Sequence, residues 1–218
     1  ILHVHVKPDS GASAPAIVTP RRSAKLCRVA PNGARQTKTD HPALPDTIEE
    51  KVACALACHA AGADGLHAHV RDTEQRHVLD VGLYAELLSE LGHRAPDLYV
   101  QITSEAAGRF TPAEQRHLVE TLKPRAVSVA LREITANQDN AVTRRFFAMC
   151  AEAKIDVQHI LYDAADIAHL ARLVAQGDVP CDGLKTLIVL GRYTNGQPST
   201  PPEVAALAQR RKSALPDA

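Results

Sequence analysis

Ala61-Gly62-Ala63-Asp64-Gly65-Leu66-His67-Ala68-His69-Val70-Arg71-Asp72 carries the reading on which the fold turns. It follows an apolar-periodic helix over 48–61, passes a Gly that suits a helix stop, and enters a short apolar strand over 65–70. That strand ends in a charged Arg-Asp pair. Outward from it the same rhythm of strand, polar turn and helix recurs. Strands are expected over 25–30, 98–103, 126–131, 157–162 and 185–190, with helices over 82–91, 112–122, 140–153 and 165–175 and near 202–211. Thr111-Pro112-Ala113-Glu114 reads as a helix start, with Thr as cap, Pro in the first turn and Glu three residues after the cap.

Strands that read as nearly continuous apolar runs, each followed by a helix, belong to a parallel sheet covered by helices. An open doubly wound sheet should carry a Gly-rich phosphate turn after its first strand. Here Ala30-Pro31-Asn32-Gly33-Ala34-Arg35 has a single Gly and is too polar for a pyrophosphate cradle. Polar residues sit instead at the C-terminal end of strand after strand, the barrel pattern for an active site. The expected fold class is therefore α/β, a (β/α)8 TIM-type barrel. About six βα units are visible where closure needs eight, so C-terminal units are expected to be missing from the chain as given. Residues 1–22 stand apart. Ile1-Leu2-His3-Val4-His5-Val6 alternates like a short strand, and a Ser-, Ala- and Pro-rich stretch continues to Pro20-Arg21-Arg22. This reads as an N-terminal extension, with the barrel domain over 23–218.

Lys+Arg and Asp+Glu number 25 each, and this balance leaves no electrostatic footprint for nucleic acid or an anionic membrane. Hydrophobic residues at 45% and charged residues at 23% describe a globular chain and not a disordered one. No apolar run approaches the roughly 18 residues of a membrane span, and no secretory signal opens the given sequence. A soluble, cytoplasmic protein is expected. Aromatics are only 3%, so Ala, Val, Leu and Ile must build the core, and 11 His stand out against that background. The five Cys are an odd number without a C-x-x-C pair, which fits reduced thiols packing as small hydrophobes. Cys54 and Cys58 share one helical face, where a two-thiol zinc site is the less favoured alternative.

The sharpest constellation is His67-Ala68-His69. Side chains two apart on a strand point the same way, with Cα atoms about 6.6 Å apart. Two such imidazoles can converge on one Zn²⁺ and leave room for a third ligand and an open position. The plain alternative is two hydrogen-bonded or solvent-facing histidines. The strand end and the Arg71-Asp72 pair favour the metal reading. His3-Val4-His5 has the same spacing but lies in the extension, where the plain reading holds. Arg35, Arg71 or Arg132 could pair bidentately with a substrate carboxylate, although Arg132-Glu133 reads equally well as a rim ion pair. Asp163 and Arg192-Tyr193 also fall at strand ends.

Ala30-Pro31-Asn32-Gly33-Ala34-Arg35-Gln36-Thr37-Lys38-Thr39-Asp40-His41-Pro42-Ala43-Leu44-Pro45, followed by Leu66-His67-Ala68-His69-Val70-Arg71-Asp72, resembles the β-keto acid cleavage enzyme family. Gln101-Ile102-Thr103-Ser104 and Leu190-Gly191 fall at comparable strand ends, and the resemblance spans roughly residues 24–195. It implies a zinc-dependent (β/α)8 barrel in which a β-keto acid and acetyl-CoA give acetoacetate and a new acyl-CoA. A homo-oligomer is expected. His67 and His69 match the family's zinc-binding histidines. Thr103 stands where a substrate-contacting Ser or Thr lies, Ala106 where a Gly backbone meets substrate, and Ser128 where a Thr binds near the carboxylate.

Several positions depart from the family pattern. Arg35 replaces a Glu that contacts an amino-bearing substrate, Gln158 replaces a Glu on the fifth strand, and Glu105-Ala106 replaces Gly-Gly. The family's third zinc ligand, a Glu, and an Asp and Arg of its catalytic relay have no counterpart in 201–218. A piece of a longer chain, or a degenerate non-catalytic barrel, would explain that. A metal-dependent hydrolase of the amidohydrolase type is the other alternative, with His159 on the fifth strand as a further ligand but none on the sixth.

Overall fold

The computed structural model describes residues 2–4, 27–190 and 200–215, and their contacts divide the chain into two units, Ile1–Ile102 and Thr103–Ala218. Residues 5–22 of the expected extension lie outside the described residues, as do Arg192-Tyr193.

The first unit contains β1 (Leu2–Val4), β2 (Cys27–Val29), α1 (Ile48–Ala60), β3 (Gly65–Ala68), β4 (Val70–Arg71), β5 (His77–Val78), α2 (Val81–Arg94) and the strand β6 (Tyr99–Thr103), whose last residue opens the second unit. β1, β2, β3 and β6 pair in that order, all parallel. The segment that the sequence sets apart as an extension thus contributes Leu2–Val4, in register with Cys27–Val29. Each helix has a local reason to start. Thr47 and Glu50 close a capping box on α1, and the Asp80 carboxylate accepts from the Leu83 N–H at α2. Strand alternation then sorts the residues. Leu66, Ala68, Val100 and Ile102 are buried apolar residues on one face. Arg28, His67 and Gln101 fall on the other, because Arg28 is opposite Gly65 and His67 is opposite Gln101. Gly65 is needed for close approach, since a Cβ there would lie 2.7 Å from the Tyr99 carbonyl oxygen.

The strand expected over 65–70 does not run through. It ends at Ala68, and Val70–Arg71 turns into an antiparallel hairpin with His77–Val78. The Asp72 carboxylate builds the turn by accepting from the Glu74 and Arg76 N–H groups at 3.0 and 2.9 Å. Asp72 is therefore a turn former, and the charged pair after the strand has a structural cause.

The second unit holds α3 (Pro112–Leu122), β7 (Ala126–Ala130), α4 (Leu131–Ile134), α5 (Asn140–Glu152), β8 (Asp156–Leu161), α6 (Ala164–Ala175), β9 (Lys185–Ile188) and α7 (Pro201–Ala214). β7, β8 and β9 are parallel neighbours in that order. The capping box read at Thr111 and Glu114 is present, and Pro112 occupies the first turn. Ser128 lies opposite Gln158 and Val129 opposite His159, so Ser128 and Gln158 share one face while Val129 and His159 share the other. The short α4 follows β7 without a break, and periodicity missed it because four residues carry no helical repeat. Among the described residues no helix is long and apolar enough to cross a membrane.

Candidate functional site

In the first unit the strand end brings the two expected histidines together. The ring centroids of His67 and His69 are 5.1 Å apart and their planes meet at 75°. Two imidazoles bound to one zinc ion at about 2 Å and a tetrahedral angle have centroids about 5 Å apart, so the pair fits half of a zinc donor set. His77 of β5 also adjoins His69, again with 5.1 Å between ring centroids. Both His69 and His77 are buried. Among the described residues no group of three or more His, Cys, Asp or Glu side chains is placed to hold a metal ion.

Polar residues behind the pair orient it. The Nδ1 of His67 and the Oε1 of Gln101 are 2.9 Å apart, and Arg28 donates through Nη1 to the same oxygen at 2.6 Å. The Arg28 guanidinium lies over the Tyr99 ring, 4.8 Å from its centroid. Asn32 is buried and donates through Nδ2 to the carbonyls of Pro45 at 3.0 Å and His69 at 3.4 Å, tying the loop 30–45 to the end of β3. Lys51 of α1 lines a small cavity with Asn32, Leu66 and His69 and donates to the Asp46 carbonyl. Burial, helped by the nearby Arg71 cation, pulls the Lys51 ammonium down to about 8.

Arg71 is committed to structure and not to a substrate carboxylate. Its Nη2 donates to the carbonyls of Gly33 at 2.7 Å and Gln36 at 2.6 Å, its Nη1 to that of Gln75 at 2.7 Å, and its Nε faces the Asp46 carboxylate at 3.2 Å. Burial lowers its pKa from the ordinary guanidinium range. The residue pins the turn that carries Arg35, and Arg35 itself is exposed.

In the second unit Thr103 and Ser128 come together, both buried, with the Ser128 hydroxyl 3.4 Å from the Thr103 hydroxyl. Ser104 reinforces them by donating its N–H and hydroxyl to the Ser128 carbonyl at 3.1 and 3.0 Å. The Glu105 N–H donates to the Thr103 hydroxyl oxygen at 3.1 Å. Gln158 is buried on the Ser128 face. The Ala106 N–H, expected to meet substrate, donates to the Glu133 carboxylate at 2.9 Å. Arg132 is held by carboxylates: its Nε donates to both Asp166 oxygens at 3.0 Å and its Nη2 reaches Asp163. Burial alone would pull its pKa down, but these bonds raise it above the ordinary range. Arg132 is thus ion-paired with Asp163 and Asp166, while the carboxylate of Glu133, which the sequence set beside it, accepts from the Ala106 N–H. His159 packs against Phe147 of α5, with 5.2 Å between ring centroids, on the face opposite Gln158. That placement removes the fifth-strand ligand on which the hydrolase alternative depends.

The sequence profile of a family described as beta-keto acid cleavage enzyme matches residues 26–218. The chain belongs to that family. A 3-keto-5-aminohexanoate cleavage enzyme of Fusobacterium nucleatum is 27% identical over 66% of this chain and 55% of its own length. A 3-oxoadipate:acetyl-CoA acetyltransferase of Cupriavidus necator is 30% identical over 48% of this chain and 36% of its own. The chain thus spans about half or less of the curated relatives it matches. Two solved structures share the fold. Apo ObcA superposes with a TM-score of 0.55 at 15% identity over 68% of this chain and 36% of that one. A type I 3-dehydroquinate dehydratase of Clostridium difficile gives 0.56 at 13% identity over 85% and 68%. The fold class of this β-keto acid cleavage family member is α/β, of the TIM-barrel type.

His77, Gln101, Arg28 and Asn32 were given no role from sequence. Gln101 stood inside a quoted strand-end motif, and an Asp-initiated turn between Val70 and Val78 was the available signal for His77.

Proposed function

We propose that the protein exchanges a β-keto acid with acetyl-CoA to give acetoacetate and a new acyl-CoA, with zinc held through His67 and His69. The observation that carries this reading is the pair of adjoining imidazoles at the end of β3, inside the region the family profile matches. The names of the relatives support the reaction class: one cleaves a keto acid, and the other transfers between 3-oxoadipate and acetyl-CoA.

Breaking the bond between a ketone carbon and the neighbouring methylene requires charge to be stabilised on the ketone oxygen as a tetrahedral adduct forms and collapses. Bound zinc would supply a Lewis acid for that oxygen. His67 and His69 would hold the ion through neutral imidazoles. The Thr103 hydroxyl is assigned as an oriented donor to a substrate oxygen; it accepts from the Ser128 hydroxyl and the Glu105 N–H, so Ser128 acts by orienting it. Gln158 in place of an acid, and Arg35 in place of a Glu, point to an acyl portion that is neutral or anionic. Ala106 and Arg132 keep an indirect part in this reading, because the Ala106 N–H is taken by Glu133 and the Nε and Nη2 of Arg132 are held by Asp163 and Asp166.

The test has two parts. Zinc is measured in purified protein and in the His67→Ala, His69→Ala double variant, which should lose it; unchanged zinc content overturns the metal assignment. Acetoacetate formation is then followed with acetyl-CoA and a panel of β-keto acids. Turnover of neutral or dicarboxylic members is expected, and a preference for a 5-amino substrate refutes the specificity reading.

A further inference from the structure

The hydrogen-bond chain from Arg28 through Gln101 to His67 decides a protonation state. An amide oxygen and an amide nitrogen look alike, so the orientation of a Gln side chain must be settled by its partners. Here one partner is unambiguous. A guanidinium only donates, and Arg28 Nη1 lies 2.6 Å from the Gln101 terminal atom that also meets His67. That atom must be the acceptor oxygen. An acceptor at 2.9 Å from His67 Nδ1 in turn requires Nδ1 to carry a proton. A neutral ring then has its lone pair on Nε2. Arg28 is itself fixed by burial and by its seat over the Tyr99 ring, so the chain has a rigid origin.

We propose that Arg28 and Gln101 are positioning residues which lock His67 as its Nδ1–H tautomer and so make Nε2 the nitrogen that serves as ligand beside His69. The ligand half of this statement rests on the metal reading above; the tautomer half does not. The carbonyl behind the imidazole also raises the basicity of the ring, and losing such a partner weakens metal binding about 10- to 100-fold.

Nitrogen-15 NMR of the metal-free protein, at a pH where the ring is neutral, reports the tautomer of His67 directly. Zn²⁺ affinity is measured separately by competition with a chromophoric chelator. In the wild-type protein the proton is expected on Nδ1. In Gln101→Met the Nδ1–H form should lose its dominance and Zn²⁺ should bind about 10- to 100-fold more weakly. Gln101→Glu, which keeps an acceptor, should retain both properties. A loss of stability alone would leave the tautomer unmoved, so this pattern separates positioning from scaffolding. A proton on Nε2 in the wild-type protein overturns the proposal, and that measurement needs no variant to fold. Unchanged tautomer and affinity in folded Gln101→Met overturns it as well. An Nδ1–H ring in a protein that takes up no zinc supports the positioning and counts against the metal reading.

Discussion

Acidification should expose His159 as a source of instability in the second unit. The residue sits on β8 with its ring against Phe147, and burial pushes its pKa down from 6.5 to about 4. Between those values the unfolded chain binds a proton that the folded protein refuses, so stability rises with pH there and falls as the pH is lowered. The contribution is complete above 6.5 and is lost progressively on the way down to about 4. At about 1.4 kcal/mol per pH unit, that interval amounts to about 3 kcal/mol, and about 2 kcal/mol is gone at a pH of about 5. The residue is only 3% exposed, so solvent screening reduces this figure little. His159→Leu keeps an apolar side chain of similar reach in the pocket with Phe147 and Cys150 and has no proton to gain. Urea unfolding of both proteins from about pH 7 to about pH 4 isolates the effect, since carboxylate titration is common to the two. The variant should lose about 3 kcal/mol less across the range. Parallel curves would mean that His159 titrates normally, and hence that it faces water or a ligand and not the helix layer. That result would also revive the hydrolase reading.

Two further outcomes follow from the first unit. Arg71→Met should cost about 3–5 kcal/mol in urea unfolding, because it strands the buried Asp46 carboxylate and three carbonyls, whereas Arg35→Ala at an exposed site should stay within about 0.5 kcal/mol. Equal effects of the two would show that Arg71 does not clamp the loop. Gly65→Ala should destabilise by about 1–3 kcal/mol, since its Cβ would sit 2.7 Å from a backbone oxygen of β6 that no rotamer change can move; a neutral result would place β3 and β6 further apart.

The βα rhythm was legible in the residue pattern because alternation and helical periodicity extend over whole elements. All six strands read from residue 24 onward are present within a few residues of their expected bounds, and so are all six helices. The proximity of His67 and His69 was legible from their spacing, but β3 ends at Ala68, so the 5.1 Å between the rings is set by the chain beyond the strand as well as by its alternation. The hairpin after β3 and the pairing of Leu2–Val4 were not, since strands of two or three residues have no period and depend on partners distant in sequence. The roles of the charged side chains were equally hidden. Arg71 and Arg132 looked alike as cations near strand ends and Arg28 drew no reading, yet the first grips loop carbonyls, the second is held by two carboxylates and the third orients an amide. His159 and Gln158 are adjacent in sequence and face opposite ways. A guanidinium or an imidazole takes its chemistry from the few atoms within hydrogen-bond reach, and most of those atoms come from residues 25 to 73 positions away, brought there only by folding.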